Sequence, residues 1–213
     1  LETVACPICE GQDYTIVLRD AQDAIWRKPG RFQVARCNQC ELVATRPRPT
    51  AESLGFYYEN TYSGESDDGM RKFQTESTFG RWICTYRLKV LQRFVQLTPS
   101  HHLLDVGCSF GGFVANAQEL TGCKASGIDL DAKSVEGAMA PETVDYRVGT
   151  LEDGNYAPQQ FDVITFYESL EHHAEPVKTL QEALRLLKPG GACVVEVPNF
   201  GGFWRRVFRT AWL

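Results

Sequence analysis

No apolar stretch in this sequence approaches the roughly 20 consecutive residues of a membrane span, and no signal-peptide pattern opens it. Both absences point to the cytoplasm as the expected home. An excess of positive charge is missing as well. The 22 Lys and Arg residues stand against 27 Asp and Glu, leaving a net charge of −5. Nucleic-acid binders usually carry a basic face, so this balance argues against that class. Internal repeats and low-complexity tracts are also absent, which leaves an ordinary globular composition. The 213 residues are enough for one good core and a small appendage. There is no initiator Met, which suggests a trimmed start.

Cysteine, by contrast, is abundant. Four of the eight fall in two C-x-x-C pairs, Cys6/Cys9 and Cys37/Cys40. Two short knuckles of this kind can bring four thiolates together around a tetrahedral zinc, at Zn–S distances of about 2.3 Å. Nothing around the pairs looks like a thioredoxin unit, so redox disulfides are not expected. A site with four protein ligands has no open position, and this zinc is expected to be structural. The single cysteines, Cys84, Cys108, Cys123 and Cys193, read as small, mostly buried residues.

Three segments follow one another. Residues 1–50 form the cysteine-bearing, zinc-ribbon-like module. Residues 51–99 are an aromatic and polar connector with a helix expected from about Phe79 to Leu97, where Trp82, Ile83, Tyr86, Val90, Leu91 and Phe94 recur at spacings of three and four. Pro99 is its expected stop. Residues 100–213 alternate strand and helix, which predicts βαβ units and a parallel sheet with flanking helices, an α/β Rossmann-like architecture.

The first strand of that region ends in "LLDVGCSFGGF", residues 103–113. Gly107, Ser109 and Gly111 spell G-x-S-x-G, the nucleophile elbow of a hydrolase. A triad with Asp162 and His172 would even have the right chain order. However, an elbow sits deep in its sheet, and here the loop follows the first strand with no oxyanion-hole stretch upstream. The other reading is a strand-end acid and glycine turn that receive a nucleotide. Asp105 ends the strand, the glycines let the backbone approach a ligand, and the next helix points its N-terminus at the site. Asp129 ends the second strand about twenty residues later, where a carboxylate can take both ribose hydroxyls. The second reading prevails.

Taken together, "LLDVGCSFGGF", "ASGIDLD", "FDVITFYESLEHHAEP" and "LLKPGGACVVEVPN" resemble the successive motifs of class I S-adenosylmethionine-dependent methyltransferases. The resemblance covers about residues 100–200. It implies that Asp105, Gly107, Cys108, Ser109 and Gly111 hold the methionine end of the cofactor, and that Asp129 binds the ribose beside Leu130. It further implies that Leu151 and Glu152 lie at the adenine edge, and that Phe166 and Tyr167 wall the transfer site. Two departures stand out. Serine occupies position 109, where the family usually has glycine, and Thr150 stands where it usually has an acid. The family's sheet has seven strands, and the chain stops shortly after the fifth, so the last two are expected to lie beyond Leu213. The cysteine segment resembles the zinc-binding N-terminus of bacterial methyltransferases from sugar, lipid and secondary-metabolite pathways. There Phe56, Tyr57, Tyr58 and Tyr62 fit a tyrosine-rich helix that closes over the cofactor or packs between domains.

The acceptor is therefore expected to be a small molecule, sugar or lipid precursor. An RNA methyltransferase and a non-catalytic cofactor-binding scaffold with a zinc partner-binding module are the alternatives. Within "ESLEHH", an α-helical turn would align Glu168, Glu171 and His172 on one face. Three roles stay open for them: His172 as general base, a divalent metal site, or mere packing of the turn.

Overall fold

A computed structural model describes residues 1–22, 28–50, 53, 56, 65–203 and 207. It divides into two compact units, one drawn from residues 1–61 and 198–213 and the other from residues 62–197. Tyr57, Tyr58 and Tyr62 lie outside the described residues, as does most of the basic, aromatic run at residues 204–209.

The first unit is a three-stranded antiparallel sheet of β1 (Tyr14–Ala21), β2 (Phe32–Cys37) and β3 (Val43–Arg46), in that order. Its registers pair Tyr14 with Cys37 and Gln33 with Arg46. The Arg46 guanidinium lies 3.8 Å from the centre of the Tyr14 ring, a cation–π contact inside a very small core.

The second unit opens with α1 (Glu65–Thr75) and α2 (Thr78–Leu91). Then come β4 (His102–Val106), α3 (Gly112–Thr121), β5 (Lys124–Asp129), α4 (Ala132–Glu136), β6 (Val144–Val148), β7 (Phe161–Tyr167), α5 (Pro176–Leu186) and β8 (Leu187–Glu196). The five strands form one parallel sheet in the order β6-β5-β4-β7-β8. This is the Rossmann-like parallel sheet that the alternating pattern predicts. Helices cover both faces of β4, so its apolar residues run on continuously instead of alternating. Leu103 packs with Cys84, Leu88, Leu91, Phe113 and Val114 on one side. Leu104 and Val106 pack with Ile128, Ile164, Phe166 and Leu186 on the other.

Helix α2 differs from expectation in both its length and its buried face. Ser77 caps its start by accepting from the Gly80 N–H, and the helix ends at Leu91. Its buried residues are Gly80, Cys84, Leu88 and Leu91. Trp82 and Tyr86 are 59% and 55% exposed, and Phe79 and Phe94 are exposed too. Aromatic size misleads here, because the smaller residues let the helix approach the sheet closely. The early stop has a related cause. Leu97 is buried in the same core as Leu91, yet a straight helix would carry a residue six positions on about 120° round from it. The chain turns after Leu91 to bring Leu97 back. Helix α1, 11 residues long, was not expected from the sequence at all.

Candidate functional site

Strand order reverses between β4 and β7, and in open parallel sheets ligands bind outside the carboxyl ends of the strands at such a switch point. Asp105 lies there. It is buried, and its Oδ1 accepts a 2.6 Å hydrogen bond from the Thr165 hydroxyl on β7. Burial raises its carboxyl to about 7, against the lowering effects of Thr165 and Arg87.

The loop after β4 runs through left-handed backbone, with φ of +76 at Gly107, +49 at Ser109 and +74 at Gly111. Glycine adopts this conformation freely, whereas an L-residue gives up roughly 1–2 kcal/mol. Space is the second reason for glycine. A Cβ at Gly107 would lie 2.4 Å from Ser169 Cβ, and one at Gly111 would lie 1.9 Å from the Tyr146 hydroxyl. The loop is also pinned to β5. The N–H groups of Gly107 and Cys108 both donate to the Ile128 carbonyl, at 2.8 and 3.2 Å. Cys108 is buried beneath the loop, and burial pushes its thiol well above the usual range, so it serves as a small apolar filler.

Asp129, at the end of β5, holds the same loop. Its Oδ2 accepts from the Ser109 N–H at 2.7 Å and its Oδ1 from the Asp131 N–H at 2.9 Å. Each carboxylate oxygen keeps a further lone pair, so two hydroxyls can still be accepted. Burial raises this acid too, although the backbone donors of Asp131 and Ser109 oppose it. Leu130 beside it is 72% exposed, an apolar platform next to an acceptor pair.

The structure does not bring every candidate side chain to this surface. Leu151 is 1% exposed and sits in the core with Leu104 and Ile128. Glu152 is exposed, and its Oε1 accepts from the Thr179 hydroxyl at 3.0 Å. Phe166 is fully buried. Tyr167 is half-buried, edge-on to Phe113 at 4.6 Å and beneath the Arg87 guanidinium at 4.7 Å.

The three residues of "ESLEHH" do not share a face. Glu168 has left-handed backbone (φ +53), its N–H donates to the Glu196 carbonyl, and only Leu170–His172 form a single 3-10 turn. The Glu168 carboxylate turns toward Arg87, at 3.9 Å. His172 is exposed, with Nε2 4.0 Å from Glu171 Oε1. Burial raises the Glu171 carboxyl. A hydrolase triad is likewise not assembled. Asp162 lies at the start of β7, where it accepts from Lys188 Nζ and the His102 N–H, both at 2.7 Å.

Among the described residues, the one group of metal-ligating side chains that converges is Cys6, Cys9, Cys37 and Cys40, with all four Sγ atoms within 4.8 Å of one another. The Cys6–Cys40 and Cys9–Cys37 pairs are 3.4 and 3.6 Å apart. The two knuckles have matching backbones. Glu10 N–H donates to Cys6 O and Glu41 N–H to Cys37 O, and both glutamates have positive φ. Burial raises the Cys6 thiol, but backbone donors and neighbouring thiols outweigh it and hold Cys6 at about 6. At Cys9 the Gly11 backbone lowers the thiol, but burial and the other three cysteines push it up to about 12. Four thiols this close cannot all ionise without a cation among them, and the donor set suits zinc.

Thr165, Ser169, Arg87, His173 and Thr179 escaped the sequence reading. Thr165 is a small buried hydroxyl within a mostly apolar strand. Ser169, Arg87 and Thr179 act through partners distant in sequence, which no local pattern records.

Residues 104–195 match the family described as a methyltransferase domain. A ubiquinone biosynthesis O-methyltransferase of Thiobacillus denitrificans is 41% identical over 95 residues, covering 42% of this chain and 40% of that protein. One from Pseudomonas syringae is 38% identical over 103 residues, covering 46% of this chain and 44% of its own. The chain thus spans less than half the length of these curated relatives. In fold it is similar to the PH0226 protein of Pyrococcus horikoshii, with a TM-score of 0.52 at 20% identity, over 66% of this chain and 64% of that one.

Proposed function

With residues 104–195 a class I S-adenosylmethionine-dependent methyltransferase domain, we propose that the chain transfers a methyl group from S-adenosylmethionine to a hydroxyl-bearing small molecule. The observation that carries this reading is the left-handed loop of Gly107, Ser109 and Gly111 at the switch point, with Asp105 behind it and Asp129 across from it. The identity to O-methyltransferases supports an oxygen acceptor. A sugar or lipid precursor is the narrower proposal, which rests on the resemblance of the cysteine segment.

When bound, the cofactor supplies a methyl group on a positively charged sulfur, ready for in-line displacement. Asp105 and the loop from Gly107 to Gly111 would hold its methionine end, with Cys108 filling the space beneath. Asp129 would accept the two ribose hydroxyls, and Leu130 would pack against the base. Glu152 would stand at the base's edge, and Leu151 would act only through the backbone it anchors. Tyr167 would face the acceptor, with Phe166 behind it. His172 is the proposed base for the acceptor hydroxyl, since an imidazole is the side chain most often used to take a proton in general acid–base catalysis. Glu171 Oε1 lies 4.0 Å from its Nε2, while Glu168 is directed to Arg87. That divergence favours the imidazole over a divalent metal at this turn.

Cys6, Cys9, Cys37 and Cys40 would hold zinc with no position left for water or substrate, which makes the ion structural. The test of the activity is a screen of hydroxyl-bearing acceptors that follows release of S-adenosylhomocysteine. Calorimetry with S-adenosylhomocysteine runs beside it, and a chain that binds none would end the proposal.

A further inference from the structure

His172 is the proposed base, yet it is the neighbouring His173 that is built into a hydrogen-bond chain. The Thr179 hydroxyl is buried and donates to Glu152 Oε1 at 3.0 Å. The same hydroxyl oxygen lies 3.2 Å from His173 Nδ1. A carboxylate only accepts, and a hydroxyl has a single proton to give. Thr179 spends that proton on Glu152, so toward His173 it can only accept. His173 must then carry its hydrogen on Nδ1. The order of donors is fixed, from imidazole to hydroxyl to carboxylate.

The surroundings support a stable chain. The His173 ring is half-buried and sits edge-on to Phe166, 6.0 Å between centres. Burial lowers its pKa, against the pull of Glu152 and Asp129, and His172 adds to the lowering. Those two carboxylates are the acids at the ends of the β5 and β6 region, so the ring faces the side of the sheet where the nucleoside is proposed to lie. Thr179 comes from α5, Glu152 from the turn after β6 and His173 from the turn after β7. His173 and Thr179 lie six residues apart, on either side of the start of α5, and the hydroxyl links the imidazole to a carboxylate 27 residues upstream. Leu151, locked in the core immediately before Glu152, fixes the backbone from the other side.

We propose that His173 and Thr179 are positioning residues for Glu152, holding its carboxylate by one oxygen so that the other accepts the amino group of the cofactor's adenine. This rests on the proposed binding of S-adenosylmethionine. Its chemical content is a preference for a base that donates at that edge. Hypoxanthine, which presents a carbonyl there, would bring two acceptors together and gains nothing from a well-held carboxylate.

The test compares S-adenosylhomocysteine with S-inosylhomocysteine by calorimetry on wild type, Thr179→Ser and Thr179→Val. Valine keeps the shape and removes the hydroxyl. Thr179→Val is expected to weaken S-adenosylhomocysteine binding about three- to tenfold, the worth of roughly one hydrogen bond. Its affinity for the inosine analogue should stay within about twofold of wild type, and Thr179→Ser should restore discrimination. Equal loss of both ligands, or no loss of either, overturns the positioning role alone. Failure of wild type to bind S-adenosylhomocysteine overturns the underlying reading and this one together. Nitrogen NMR of wild type gives an answer that needs no variant. His173 is expected to carry its proton on Nδ1 above neutral pH, and a proton on Nε2 instead would break the donor order.

Discussion

Asp105 makes the chemistry of the site depend on pH. Its carboxyl is raised from 3.8 to about 7, chiefly by burial. The folded protein therefore binds a proton that the unfolded chain has already released between those values. The stabilising contribution of that proton is complete below about pH 4 and is lost as pH rises through about 7. Denaturant midpoints of wild type relative to Asp105→Asn should fall between pH 5 and 8, and parallel curves would contradict the burial argument. Cofactor binding should show the opposite trend, because the ammonium of the methionine end favours the ionised acid. Affinity for S-adenosylhomocysteine should rise from pH 6 to 8, with protons released to the buffer in calorimetry.

Ser109 and Asp129 give two further tests at the same scale. Ser109 sits at φ +49, which explains in physical terms why glycine would be at home there. Ser109→Gly should retain cofactor binding and change stability by about 1 kcal/mol or less, since relief of strain offsets a freer unfolded chain. Asp129→Ala loses two charge-assisted hydrogen bonds and the anchor of the Ser109 amide. At ~1.5–3 kcal/mol for each bond, affinity should drop at least about a hundredfold. Asp105, Asp129 and the glycines were legible in the sequence because strand ends and turns leave local marks. Thr165, which hydrogen-bonds to Asp105 from 60 residues away, and His173, whose partners come from two other elements, were not.

At the scale of elements, α2 shows how a pattern can identify a helix and still misjudge its face. Phe79, Trp82 and Tyr86 stack along its exposed side, with successive ring centres 5.7 Å apart. The core side is made by Cys84, Leu88 and Leu91. Periodicity reports that a stripe exists, whereas depth depends on how closely the helix must approach the sheet. Leu88→Ala should cost about 2–5 kcal/mol as a core truncation. Trp82→Ala loses two exposed aromatic pairs and should cost less than Leu88→Ala, about 1–2 kcal/mol. Urea denaturation of the two variants decides between the faces. The strands were read more faithfully than α2, since burial on both sides leaves β4 and β7 little choice of residue.

At the scale of the molecule, the two units rest on different physics. Residues 62–197 bury a two-sided apolar core around a parallel sheet. A segment as short as the cysteine module has too little apolar surface to fold by burial alone, and the thiol cluster is its proposed substitute. Mass spectrometry of the native chain should find one zinc. Chelation, or Cys37→Ser, should remove it and collapse the dispersed NMR signals of β1, β2 and β3. Signals that survive a metal-free state would mean the sheet stands without the ion.

The central strand also sets the order in which the site can come into being. The Ser109 amide and the Asp129 carboxylate that restrains it are 20 residues apart, a loop that a growing chain closes early and at small entropic cost. The Asp105–Thr165 bond spans 60 residues, and β4 gains its second neighbour only when β7 has been made. Until then the acid at the switch point lacks part of the burial that raises it in the folded chain. A ribosome-held chain ending near residue 150 would carry the glycine turn and the Asp129 carboxylate without the dry wall behind them. Cofactor affinity should therefore emerge abruptly during synthesis, with β7, and not grow in proportion to length.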